Sequence, residues 1–256
     1  MIGSVWTLAR YTALEGWKNR FLWIVTVVVL GGFMLAEFAG TLALTEVKEI
    51  QSAILGAYLR LGAVILTSLV VLNSLVRELN DKGLELILSL PIPRGSYFFG
   101  KLIGYTFTVL TMVTLFSAAL LPYSAGEMVL FWGISLLAEL LIVIALCLLT
   151  LLTFNQVTPA FSAVLAIYLL SRSITSLQQV GQGPIMGSNS LWMQFMNEMI
   201  GAIALVLPGL DRFTQTEWLV YGTGSWLEIQ HIFGQTVIYL ALLCGAALFD
   251  LYRKNI

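Results

Sequence analysis

The sequence predicts an all-α membrane protein of a single domain spanning residues 1–256: six transmembrane helices, an interfacial helix at the N-terminus and a short external helix before the last span. Three observations carry this. Hydrophobic residues make up 59% of the chain and charged residues only 11%, with a mean hydropathy of +0.91. A soluble domain carries about 25% charged residues, so this chain lacks the polar groups to clothe a water-facing surface. Six apolar runs are each long enough to cross about 30 Å of hydrocarbon. Lysine and arginine fall almost wholly in the connections on one side. The net charge of -1 argues against nucleic acid as a partner, because phosphate binding needs a basic surface.

The runs are Phe21 to Ala43, Ala53 to Val76, Leu102 to Leu121, Met128 to Phe154, Pro159 to Leu177 and Ile229 to Phe249. With the N-terminus inside, Arg10, Lys18, Arg20, Arg77, Lys82, Arg94, Lys101, Arg253 and Lys254 are all cytoplasmic. The external connections keep only Lys48 and Arg212, which puts both termini in the cytoplasm. The apolar segment Met199 to Leu210 is about 12 residues long, too short to span and suited to a re-entrant or interfacial helix.

The first 20 residues form their own element. Ile2, Val5, Trp6, Ala9, Ala13 and Trp17 recur at helical spacing, with Ser4, Thr7, Arg10, Glu15 and Lys18 elsewhere on the wheel. Such a helix rests in the headgroup layer. Arg10, Glu15, Lys18 and Arg20 precede the first apolar run, unlike a cleaved signal peptide. Cys147 and Cys244 sit inside apolar runs and read as small buried hydrophobes.

The longest cytoplasmic stretch, residues 77–101 (RELNDKGLELILSLPIPRGSYFFGK), alternates charge and then presents Leu84, Leu86, Ile87, Leu88 and Leu90 as an apolar face. Pro91 and Pro93 end any helix there, since proline lacks an amide donor and restricts the residue before it. Arg94 and Lys101 bracket an aromatic re-entry, Tyr97-Phe98-Phe99. A short amphipathic helix against the membrane face suits a partner subunit that pushes on it; a snorkelling loop that only pins topology is the plainer reading.

The run from Glu78 through Leu-Ser-Leu-Pro-Ile-Pro-Arg94 to Gly100-Lys101 resembles the signature loop of ABC-2 type transporter permeases. Leu207-Pro-Gly-Leu-Asp-Arg-Phe213, followed by Tyr221-Gly222, resembles the segment that precedes their last helix. Ala247 to Lys254 resembles their closing helix with its basic tail. Within the family the likeness is to permeases grouped with the nitrous-oxide-reductase (multicopper enzyme) maturation transporter, although Gly209 stands where that pattern usually has asparagine. The resemblance implies an elbow helix, six spans, a cytoplasmic coupling helix and external re-entrant helices. It also implies a bacterial or archaeal cytoplasmic membrane and a dimer of permeases seated on ATPase subunits. The segment from Asp81 to Leu90 is then the coupling helix, with Arg77, Glu78, Asp81, Lys82, Leu84, Glu85, Leu86, Leu88, Pro91 and Arg94 as the residues that engage the ATPase. The chain has no G-x-x-x-x-G-K-[ST] loop, and Gly181 to Gly187 lacks the lysine and the preceding strand, so ATP and magnesium belong to the partner.

Charges inside spans need partners, because an arginine or glutamate at mid-bilayer costs about 2.5–3.5 kcal/mol on insertion scales. Two neutralising pairs are expected, Glu139 with Arg172 and Glu37 with Arg60. Arg60, Thr67, Asn73 and Arg172 are expected to face a path lined by the second and fifth spans. Outside, Met193, Met196 and Met199 share a helix face, with Met186 upstream and the single histidine, His231, at the start of the last span. Thioethers suit Cu(I), but methionines at this spacing are also an ordinary apolar stripe, and no metal site is assigned. With no H-E-x-x-H, no G-x-S-x-G and one histidine, no catalytic constellation stands out. The sequence thus reads as the permease subunit of an ATP-driven exporter, with an external accessory protein as a further partner class. A six-pass scaffold or assembly factor is the alternative.

Overall fold

The computed structural model describes residues 2–18, 20–43, 45–80, 93–181 and 191–253, and among these it is helical with no strand. In chain order the helices are α1 (Ile2–Lys18), α2 (Phe21–Leu42), α3 (Val47–Asn80), α4 (Arg94–Leu120), α5 (Gly126–Phe154), α6 (Val157–Gly181), α7 (Leu191–Val206), α8 (Thr216–Tyr221) and α9 (Trp226–Arg253). A 3₁₀ turn, Leu210–Arg212, lies between α7 and α8. Among the described residues six helices, α2 to α6 and α9, are long and apolar enough to cross a membrane. The chain is a multi-pass membrane protein.

The helix α5 is the axis of the bundle. It packs against α3, α4, α6 and α9, and 78% of its apolar stretch is buried against 22% for both α2 and α9. That contrast places α2 and α9 on the perimeter, where Trp23, Met34, Phe38, Phe233, Leu242 and Phe249 are exposed. In a lipid solvent an exposed apolar side chain is solvated, so these faces need no protein cover.

The spans outrun the hydropathy runs. The helix α3 starts at Val47 rather than near Ala53, because Glu49 in its first turn and the amphipathic residues after it are helical without being apolar. The helix α4 starts at Arg94, with Pro93 at its N-cap, so residues 94–101 are not connection but the first turns of a span. Asp81, Lys82, Leu84, Glu85, Leu86, Leu88 and Pro91 lie outside the described residues, as do Met186 and the side chains of Met193 and Met196.

The N-terminal helix does not bury the whole stripe read from its sequence. Ala9, Thr12 and Ala13 are buried, whereas Trp6 and Trp17 are exposed. The reason lies on α4, where Gly100, Gly104 and Thr108 form a small-residue groove. A Cβ on Gly104 would lie 2.8 Å from the Ala9 carbonyl oxygen, and one on Gly100 would lie 2.8 Å from Leu8 Cβ. Close backbone approach through small residues is how helices associate where no hydrophobic force separates protein from solvent. Trp6 reaches round the groove to meet Phe107 edge-on, with ring centroids 5.9 Å apart. Gly104→Leu is therefore expected to lift α1 and to lower the thermal midpoint in detergent, overpacking being worth about 1–3 kcal/mol. Gly245→Leu, where a Cβ meets nothing within 4 Å, is the control expected to leave the midpoint unchanged.

Candidate functional site

The connection after α7 folds back into the bundle, and its burial is paid for by charges on three spans. Leu210, Phe213 and Thr214 are buried, which removes their backbone groups from water, and each buried carbonyl needs a donor. Arg172 of α6 supplies two: Nη1 donates to the Leu210 carbonyl at 2.6 Å and to the Phe213 carbonyl at 2.9 Å. Arg60 of α3 donates to the Thr214 carbonyl at 3.2 Å. The Thr214 N–H donates to Ser135 Oγ of α5 at 2.8 Å.

Glu139 of α5, with no exposed surface, is the counter-charge. It accepts from the Tyr168 hydroxyl at 2.7 Å and from the Thr214 hydroxyl, and Arg172 Nη1 stands 3.8 Å from its Oε1. Each of its two oxygens thus has a hydroxyl partner and a cation stands close by, as burial of a carboxyl group requires. Thr214 sits at φ 43°, a left-handed conformation that a β-branched residue rarely adopts. Its hydroxyl, N–H and carbonyl are all engaged, which is what holds it there.

The expected pairing of Glu139 with Arg172 is present. The pairing of Glu37 with Arg60 is not. Glu37 accepts from the Tyr123 hydroxyl at 2.7 Å, while Arg60 joins the Glu139 cluster. The cause is the earlier start of α3. Arg60 stands 13 residues into α3 and Glu139 stands 13 residues into α5, and both helices start at the same end of the bundle. Each is therefore about 20 Å deep at 1.5 Å per residue. Burial first, and then its hydrogen bond to Glu37, pushes the Tyr123 phenol up to about 12, so it remains a donor.

Of the other residues expected on a path, Thr67 is buried in the core without a hydrogen-bond partner for Oγ1, and Asn73 is exposed. Six residues at 100° each put them on different sides of α3. They do not form one lining.

A second cluster lies at the opposite end of the spans. Lys101 of α4 is 5% exposed and pairs with Glu78 of α3 at 2.6 Å. Its ammonium is 6.0 Å from the centre of the Tyr105 ring. The Tyr105 hydroxyl donates to Ser74 Oγ at 3.0 Å, and the Ser74 hydroxyl donates to Glu15 of α1 at 3.3 Å. Two of the residues expected to engage the ATPase are thus engaged within the chain. Glu78 is turned inward to Lys101, and Arg94 donates to the Leu251 and Tyr252 carbonyls at 2.9 and 3.4 Å. There it caps the last turn of α9, where unsatisfied carbonyls and the helix dipole favour a cation.

Sequence reasoning missed Ser135, Tyr168, Thr214 and the Lys101–Glu78 pair. Helical spacing carried a signal for the first two: Ser135 lies four residues before Glu139, and Tyr168 four before Arg172, which puts each on the same helix face as that buried charge. Nothing in the sequence marks Thr214. Among the described residues no cluster of three histidine, cysteine or carboxylate side chains is placed to hold a metal. No protein-family model matches the chain, and no curated protein matches it.

Proposed function

We propose that the chain is the membrane permease subunit of an ATP-driven transporter of the ABC-2 type, acting as an exporter in a bacterial or archaeal cytoplasmic membrane. Two copies sit on two ATPase subunits, with both termini cytoplasmic. The observation that carries the reading is the pairing of six apolar spans with a loop between α3 and α4 whose residues resemble the family's coupling segment. A motor on another chain supplies ATP and magnesium.

The geometry supports this reading in one specific way. Lys101 and Glu78 tie α3 to α4 at the root of that loop, so a push on residues 81–92 moves both helices together. The helix α3 is 34 residues long and carries Arg60 at its other cluster. Glu78 and Arg60 are 18 residues apart, or about 27 Å of continuous helix. A tilt at one end therefore displaces the guanidinium that holds the Thr214 carbonyl. Rigid elements linking two polar clusters are the physical basis of such coupling.

Asn73 is exposed near the coupling end of α3 and reports on that tilt. In native membranes, labelling of an Asn73→Cys variant, in a background with Cys147 and Cys244 replaced by alanine, is expected to change severalfold on adding ATP. Identical labelling with and without ATP favours a static scaffold and removes the transporter.

A further inference from the structure

We propose that the end of the bundle opposite the α3–α4 loop holds a water-filled vestibule against α9, and that a polar solute passes through it. A cavity of about 710 Å³ lies between the turn at Arg212 and the first turns of α9. Water takes about 30 Å³ per molecule in the liquid, so the space suits a cluster rather than one bridging molecule. A second space of about 400 Å³, between α6, α7 and α9, shares Arg212 and Gln235 as walls.

The walls decide what fills it. Arg212, Gln215, Glu228, Gln230, His231 and Gln235 supply most of the lining, and four of these stand on α9, a span. The apolar run of that span starts at Ile229, so Gln235, six residues on, lies about 9 Å inside it. Polar side chains at membrane depth face either the bundle interior or a water-filled cavity, because lipid offers them no partner. Other polar groups in these turns take the first course. The Thr236 hydroxyl donates to the Ile232 carbonyl at 2.8 Å, and the Tyr239 hydroxyl to the Leu207 carbonyl at 2.8 Å. Glu228, Gln230 and His231 are exposed and Gln235 is half-buried, so their polar ends meet whatever occupies the cavity. The groove of about 510 Å³ between α4 and α5 is the contrasting case, with walls such as Leu110, Val113, Leu130 and Ile134 that suit acyl chains.

The helix α9 is wet on one side only. Phe233 and Val237 each lie two residues from Gln235, about 200° round the helix. They are 66% and 51% exposed, yet line neither space. Beyond Gln235 the cavity wall turns apolar at Ile238, and Leu242, one turn further, is exposed and apolar, so water stops there. With one cation and one carboxylate, Arg212 and Glu228, the walls select polarity and not the sign of charge. The solute rests on the transporter reading: a polar cargo then leaves along α9, and not between α3 and α6.

The test is the rate at which a charged, membrane-impermeant methanethiosulfonate modifies single cysteines of the full-length chain. Native membrane fragments open on both faces are used, with Cys147 and Cys244 replaced by alanine. Gln235→Cys is expected to react at least tenfold faster than both Phe233→Cys, which is shallower, and Val237→Cys, which is deeper. Rates that only fall with depth mean that lipid surrounds α9, and equal rates at all three mean that water does. Either result overturns the vestibule, as does an unreactive Gln235→Cys. Where Gln235→Cys lowers the thermal midpoint, His231→Cys against Phe233→Cys carries the same comparison. Adding ATP is expected to change the rate at Gln235→Cys severalfold. An ATP effect at Asn73→Cys with none at Gln235→Cys overturns the route and keeps the motor, whereas no ATP effect at either position removes the transporter and the solute with it.

Discussion

Replacing Glu139 by leucine is expected to destabilise the bundle by about 3–5 kcal/mol, the range measured when one partner of a buried ion pair is removed. The side chain has no exposed surface, and it neutralises a site where Arg172 and Arg60 both point at the folded-back connection. Without it, two guanidinium groups face each other in a low dielectric, and the hydroxyls of Tyr168 and Thr214 lose their acceptor. Glu139→Gln keeps an acceptor for one hydroxyl and is expected to be the milder change. Thermal unfolding in detergent, followed by circular dichroism, ranks the two. The charge swap Glu139→Arg with Arg172→Glu tests the pair itself. It is expected to fold and work better than either single change, and a double variant no better than its parents contradicts the pairing.

The second large effect is at the other end. Lys101→Met is expected to be destabilising by a similar amount, about 3–5 kcal/mol, since Glu78 is left in a half-buried site with its cation gone. The double change Lys101→Met with Glu78→Leu is expected to recover most of that loss, because replacing both members of a buried pair by apolar residues of similar volume is often close to neutral. Function is expected to behave differently from stability. The double variant has a sound fold but no tie between α3 and α4, so ATP-dependent labelling at Asn73→Cys is expected to fall even where the thermal midpoint is restored. Equal labelling in the double variant removes Lys101 and Glu78 from the coupling route.

The six spans were legible because hydropathy over about 20 residues is a strong signal in a chain with so few charges. Their ends were less so. Residues 47–52 and 94–101 are helical because the hydrogen-bonded ladder continues past the apolar stretch, and polarity alone does not mark where it stops. Lys101 read only as a cytoplasmic charge bracketing the aromatic re-entry, because nothing local reveals that Glu78 folds over to meet it. Glu139 with Arg172 was readable, since a buried charge demands an opposite one and these two lie at matching depth. Arg60 was assigned to Glu37 because its depth was counted from the wrong first residue. The left-handed turn at Thr214 left no trace in composition, being held by groups on α3 and α5, with Arg172 of α6 on the carbonyl before it.

We propose that an ATPase on a separate chain, seated on residues 77–94, moves this one. The direct measurement is nucleotide hydrolysis associated with the affinity-purified full-length chain from its native membranes, compared with a variant carrying Leu84→Asp, Leu86→Asp and Leu88→Asp. Magnesium-dependent ATP hydrolysis is expected in the wild-type preparation, and its loss, together with the hydrolysing subunit, in the variant. A preparation that keeps its fold but hydrolyses no ATP, or one whose hydrolysis survives the three substitutions, contradicts it.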